Sequence, residues 1–179
     1  MPLRTLRTVV RPWREADREP LAAMFADPVV MHDHPAPLTR AESDARFDRY
    51  AGAYRRLGFG RMALERADGK FLGLVGVMPI HETHAAAGAG VEIGWRMIAD
   101  AWGHGYASEA AAAVLDDGFT RCGFAEVLSY TSPTNLRSQA VMRRLGMMRD
   151  TSRDFSYEAE GVRYDNVVFV ARPDGRAAT

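Results

Sequence analysis

Trp102-Gly103-His104-Gly105-Tyr106-Ala107-Ser108-Glu109 is the stretch of this chain best suited to chemistry. Two glycines one residue apart let a backbone turn tightly and approach a ligand closely. The stretch follows a strand-like run and opens a helix-like one. A turn placed there offers unbonded amide N–H groups and a helix N-terminus, the natural seat of a phosphate. A tight strand-to-helix turn with no ligand is the plainer alternative. A P-loop is excluded, because the only lysine, Lys70, lies elsewhere. A dinucleotide fingerprint wants Gly or Ala where Ser108 stands. It also wants an acid at the carboxyl end of the next strand, whereas Glu126 sits at that strand's start.

Other reactive side chains fall into weaker patterns. His81-Glu82-Thr83-His84 brings two histidines three apart in a loop after Pro79, whereas a zinc protease needs them four apart on one helical face. His32-Asp33-His34 alternates between Val29 and Leu38, a loop with prolines at 35 and 37, and reads as solvated loop rather than metal site. Cys122, beside Gly123, reads as a small packed residue rather than an acyl-carrying nucleophile.

The elements that must position these residues follow from pattern. Leu6 to Arg11 is short and β-branched, a first strand stopped by Pro12. Arg14 to Asp27 reads as a helix ending before Pro28. Thr39-Arg40-Ala41-Glu42 is a capping box; its helix runs to Leu57 and stops at Gly58. Gly60 to Glu65 and Lys70 to Pro79 are strands joined by Asp68-Gly69, a strong hairpin signal. Val91 to Ile98 is a strand, Ser108 to Cys122 a helix, Val127 to Thr131 a strand, and Leu136 to Leu145 a helix closed by Gly146. Met147 to Phe155 and Val162 to Ala171 complete the set as strands, and Arg172 to Thr179 is a short polar tail expected to be disordered. The interleaving predicts one mixed α/β domain around a central sheet.

Composition narrows the class. The 179 residues suit a single domain. Lys+Arg and Asp+Glu are 23 each, so the net charge is zero, which argues against a generic nucleic-acid binder. With one lysine among those 23 cations, 22 are arginines, a residue suited to bidentate anion contacts. One cysteine excludes a disulfide framework and a multi-cysteine zinc site. No apolar run approaches the length of a membrane span. The arginine-studded N-terminus is unlike a signal peptide, so a cytoplasmic protein is the expectation.

Val91-Glu92-Ile93-Gly94-Trp95-Arg96-Met97-Ile98, followed by Asp100 to Ala110, resembles the cofactor motif of the GCN5-related N-acetyltransferase (GNAT) family. That motif is Gln/Arg-x-x-Gly-x-Gly/Ala, and Trp102, Gly105 and Ala107 take its three defined positions. Tryptophan at the first departs from the general pattern and resembles the branch that acetylates ribosomal-protein N-termini. Asn135-Leu136-Arg137-Ser138 with Leu145-Gly146-Met147 is similar to the family's second motif. Arg11-Pro12-Trp13 and Asp27-Pro28-Val29-Val30-Met31 resemble that branch too, so the resemblance covers nearly the whole chain.

The resemblance implies an α+β GNAT fold with a mostly antiparallel sheet and helices on both faces. That sheet splays between its fourth and fifth strands, here Val91–Ile98 and Val127–Thr131. It implies acetyl-CoA as cosubstrate and no metal. Backbone groups of Met97, Ile98 and Ala99 would pair with the pantetheine. The stretch from Trp102 through Gly103, His104, Gly105, Tyr106 and Ala107 to Ser108 would hold the pyrophosphate, and Asn135 would bond the pantetheine region. Arg143 or Arg144 either meets the nucleotide phosphate or forms a solvated helix face.

Direct transfer needs a neutral amine, so a base is required. Glu92 is the best-placed acid on the cofactor-side strand, with cross-strand pairing as its structural alternative. A backbone N–H at Met97 or Ile98 would face the thioester oxygen. The tyrosine that many family members use to protonate the thiolate is replaced by Met142, which leaves Ser138 as the candidate acid. The expected acceptor is a primary amine, first a protein N-terminal α-amine, otherwise an amino acid, polyamine or aminoglycoside. His32 and His34 border the acceptor site in such a fold. The rival class is a non-catalytic acyl-CoA sensor. No nucleic acid or membrane partner is expected, and monomer or homodimer stays open.

Overall fold

A computed structural model describes residues 1–159 and 161–173. Two compact units divide it: Met1–Gly76 with Trp95–Val114, and Val77–Gly94 with the chain from Leu115 onward. The described strands are β1 (Leu3–Arg4), β2 (Thr8–Arg11), β3 (Arg61–Arg66), β4 (Phe71–Pro79), β5 (Val91–Met97), β6 (Val127–Thr131), β7 (Met148–Arg149), β8 (Phe155–Ala159) and β9 (Val162–Ala171), and their hydrogen-bonded order is β1-β2-β3-β4-β5-β6-β9-β7, with β8 on β9; β4 and β5 each have residues in both units.

In the first unit, β1 (Leu3–Arg4), β2 (Thr8–Arg11), β3 (Arg61–Arg66) and β4 (Phe71–Pro79) form an antiparallel meander. The strand expected from Leu6 begins instead at Thr8, because Thr5 Oγ1 accepts the Thr8 N–H at 2.9 Å and curls the chain into a hairpin. The helix expected from Arg14 is likewise divided into a 3-10 turn, Glu15–Asp17, and α1, Arg18–Ala26. The Asp17 carboxylate explains that break: it accepts the Arg14 N–H at 2.7 Å and the Arg11 guanidinium at 2.7 and 2.9 Å.

The second helix, α2 (Arg40–Leu57), follows its local signals closely. Thr39 accepts from Glu42 N–H, Glu42 answers at Thr39 N–H, and Gly58 ends the helix with φ +73°. Such a cap contributes about 1 kcal/mol. Packing orients the helix: Trp13 stacks on Tyr50 and meets Phe47 edge-on, while its indole N–H donates to Arg61 O at 2.7 Å.

In the second unit, β5 (Val91–Met97) pairs in parallel with β6 (Val127–Thr131) at Glu92 and Leu128. β9 (Val162–Ala171) runs antiparallel to β6, to β7 (Met148–Arg149) and to β8 (Phe155–Ala159). The single strand expected over Met147 to Phe155 is thus two strands, β7 and β8, separated by a 3-10 turn at Thr151–Arg153. Asp150 causes the interruption, since its carboxylate accepts the Ser152 N–H and its own N–H donates to Val168 O. Leu128, Phe155, Val168 and Val170 form a core cluster with Ala87.

Two helices complete the chain. α3 (Tyr106–Thr120) starts and ends two residues earlier than its alanine pattern suggests, and α4 (Leu136–Arg144) follows β6. Of the expected tail, Arg172 is held by Glu126 at 2.8 Å, and residues 174–179 lie outside the described residues. No described helix is long and apolar enough to cross a membrane.

Candidate active site

β5 ends at Met97 and gives way to a 3-10 turn, Ala99–Ala101. Trp102 closes that turn twice, its N–H donating to Ala99 O at 3.0 Å and its indole N–H to Met97 O at 3.1 Å. The motif's unusual tryptophan therefore clamps the end of β5. Gly103 and Gly105 both stand at φ +80°, where any side chain is strained. The first bond of the α3 ladder runs from Glu109 N–H to Gly105 O at 3.0 Å, so the N–H groups of Tyr106, Ala107 and Ser108 precede it. Ser108 Oγ is buried and has no hydrogen-bond partner among the described residues. Amides ahead of the ladder, an unpartnered hydroxyl and two small residues make a fitting seat for the pyrophosphate that a CoA thioester carries.

One clamp on this turn was not legible as a motif. Glu109 Oε1 accepts from Thr5 Oγ1 and from Arg7 N–H, and Oε2 accepts Arg7 Nε at 2.7 Å. Arg7 also donates to His104 O at 3.0 Å and lies over the Tyr106 ring. Burial pushes the Glu109 carboxyl up, but the bonds from Thr5 and Arg7 together outweigh it and hold the group below its ordinary value.

The loop from Val29 to Leu38 is fastened to this neighbourhood. Arg96 on β5 donates to Val30 O and to Asp33 Oδ1, both at 2.7 Å, and His32 meets Trp102 edge-on at 6.1 Å. His34 bonds Ala36 O at 3.0 Å and Arg46 at 3.2 Å. His32 thus adjoins the cofactor motif, whereas His34 is engaged within the loop and α2.

The other candidates lie in the second unit. Glu92 is half-buried, and its register with Leu128 puts it on one sheet face with Leu128 and Tyr130. Asn135 caps α4, its Oδ1 accepting the Ser138 N–H at 3.1 Å. Ser138 is half-buried in the first turn, and Met142 is a core residue at 1% exposure. Arg143 and Arg144 are exposed in the last turn, where their charge complements the helix dipole, and Arg143 bonds Gln139 at 3.2 Å. Ile98 lies with the first unit's residues, and its N–H is already bonded to Leu72 O at 3.0 Å. Burial pushes the half-buried Cys122 thiol up, which makes it a poor nucleophile at neutral pH.

The near-miss zinc motif has another use. The segment expected to be loop contains a 3-10 turn, Glu82–Ala87. His84 Nδ1 hydrogen-bonds the Tyr130 hydroxyl at 3.0 Å, and its ring packs on Tyr157 at 4.8 Å and Phe155 at 5.4 Å. Burial, helped by nearby His81, pulls the His84 pKa below its ordinary value. The unfolded chain therefore takes up the proton first, so His84 contributes stability above about pH 6.5 that is lost as pH falls below it. Glu109 and Glu126 are held below their ordinary 4.5, and their contribution persists until lower pH. Between pH 7.5 and pH 5.5 the wild type is expected to lose more Tm than His84→Gln does. Parallel Tm profiles for the two would show that His84 titrates as it does in the unfolded chain.

The fold and this turn suit a CoA-thioester acyltransferase. Residues 7–148 match the acetyltransferase (GNAT) domain family. The chain is 26% identical over 176 residues to the uncharacterized N-acetyltransferase YoaA of Bacillus subtilis, covering 96% of this chain and 97% of that one. In fold it resembles a GNAT-family acetyltransferase of Bacillus anthracis, with a TM-score of 0.82, 22% identity and coverage of 97% and 99%. RimL, a ribosomal L7/L12 alpha-N-protein acetyltransferase solved with coenzyme A, overlays at a TM-score of 0.78, 13% identity and coverage of 98% and 100%. The protein belongs to the GNAT family of acetyltransferases and is an acetyl-CoA-dependent N-acetyltransferase.

Proposed function

We propose that the protein acetylates a protein N-terminal α-amine by direct transfer from acetyl-CoA. The observation that carries the cofactor half is the turn itself: two glycines at φ +80° ahead of α3, with the buried, unpartnered Ser108 Oγ. The amides from Gly103 to Ser108 receive the pyrophosphate, and the backbone from Met97 to Ala99 runs along the pantetheine. The α-amine preference rests on the full-length resemblance and on the alpha-N-protein acetyltransferase activity of RimL.

Glu92, on β5, takes the proton from the incoming ammonium, directly or through water. The oxyanion donor narrows to the Met97 N–H. Successive N–H groups on a strand point to opposite sides, and Ile98 spends its own on Leu72 O. Met142 is apolar and buried, so Ser138 is left to meet the departing thiolate. Glu92, Ser138 and Asn135 enter this reading through the family resemblance. The reading takes the chain as one N-acetyltransferase domain.

The test is an acceptor panel of N-terminal peptides, amino acids, polyamines and aminoglycosides, read by mass shift and thiol release. Acetylated peptide α-amines are the expected result. Acetylation confined to small amines would replace the acceptor assignment, and CoA binding without turnover on any amine would favour the sensor. Gly105→Val is the control: strain at φ +80° is expected to weaken CoA binding by about 10- to 100-fold.

A further inference from the structure

We propose that Arg7 is a positioning residue for the pyrophosphate turn, acting from the β1–β2 hairpin. The proposal rests on the acetyl-CoA reading of that turn. Its first support is the grip on the loop: Arg7 donates to His104 O at 3.0 Å. In a trans peptide the carbonyl oxygen and the following N–H point in opposite directions. Holding the His104 carbonyl therefore aims the Gly105 N–H, an amide of the proposed phosphate seat, to the opposite side. Because Gly105 stands at φ +80° and lacks a side chain, nothing of its own fixes that peptide.

The second support is electrostatic. Glu109 places a carboxylate in the first turn of α3, near the seat where an anion is to bind. Alone it would repel that anion. Arg7 meets it with Nε at 2.7 Å and with its backbone N–H at 2.8 Å. The carboxylate side chain is 18% exposed and the arginine side chain 46% exposed, so the negative end is tucked inward and the positive end faces solvent. The third support is rigidity. The guanidinium lies 5.0 Å from the Tyr106 ring centre, and Thr5 Oγ1 bonds Glu109 as well, so both partners are fixed before a ligand arrives. Arginine's planar fork serves both acceptors at once, which a lysine cannot copy.

The test compares CoA, which carries phosphates, with S-acetylpantetheine, which carries none, by calorimetry on the whole chain. Arg7→Ala is expected to raise the Kd for CoA about 10-fold and leave that for S-acetylpantetheine unchanged. In turnover the same variant should raise the KM for acetyl-CoA with kcat unchanged, and Arg7→Lys should recover only part of the loss. Glu109→Gln, which removes the charge that Arg7 balances, is expected to cost less than Arg7→Ala. Equal weakening of both ligands would show a merely structural role and overturn the proposal, as would a Kd for CoA within twofold of wild type. A wild-type chain that does not bind CoA would instead overturn the acetyl-CoA reading, and this proposal with it.

Discussion

Glu92→Gln is expected to lower kcat/KM by about 100-fold near pH 7, and far less near about pH 9.5. An α-amine has an ordinary pKa of about 8, so at neutral pH most of the acceptor is ammonium and cannot attack. In the proposed mechanism the Glu92 carboxylate on β5 supplies the base that the solution lacks. At high pH the amine arrives neutral, and the variant, whose amide keeps the size of Glu92 and one acceptor oxygen, is then nearly sufficient. The pH at which the variant recovers also reports the acceptor. Recovery centred near 8 marks an α-amine, whereas a lysine-like side chain would delay it by about two pH units. A uniform loss at every pH would mean that Glu92 holds the strand or the substrate and moves no proton. Wild-type rates across the whole range would remove it from the mechanism.

What the sequence makes legible here is local. Thr39, Glu42 and Gly58 announce α2 because their partners lie within the same helix, and each contact falls where its spacing requires. Gly103 and Gly105 announce the turn because only glycine takes φ +80° without strain. The contacts that sequence reasoning missed join residues far apart in the chain. Arg7 and Glu109 are separated by 102 positions, and nothing in either segment's pattern names the other. The family resemblance points to Arg143 or Arg144 for the nucleotide phosphate, with a solvated helix face as the alternative, and both stand in the last turn of α4. His84 shows the same limit: as a metal motif it fails on spacing, and only the fold brings it to Tyr130, 46 residues away. Two strands and one helix depart from their patterns for a related reason. Thr5, Asp17 and Asp150 each use a side chain to capture backbone N–H groups, and a periodicity reading cannot see that competition.

A different arginine sets the largest expected effect on stability. Arg11 on β2 is 5% exposed and meets both oxygens of Asp17, at 2.7 and 2.9 Å, Glu65 at 2.6 Å and Pro12 O at 3.2 Å. One fork thereby joins β2 to the turn before α1 and to β3. Arg11→Ala leaves two carboxylates with 7% and 13% side-chain exposure beside each other. The remaining neighbour, Arg14, approaches Glu65 only at 3.9 Å and is itself 66% exposed. Removing one member of a buried ion cluster costs about 3–5 kcal/mol, because the stranded charge stays desolvated. For a chain of this length that is a fall of about 10 °C in Tm. The cause can be separated from lost packing by adding Asp17→Asn, which keeps an acceptor for the Arg14 N–H and deletes the charge. If stranded charge dominates, the double variant is more stable than Arg11→Ala alone, although it carries one more substitution. A double variant that is less stable would assign the loss to the missing arginine side chain instead. The zero net charge then has a structural meaning: Arg7 and Arg96 each meet one carboxylate and Arg11 meets two, so the positive potential for an anionic cofactor falls to the backbone amides before α3.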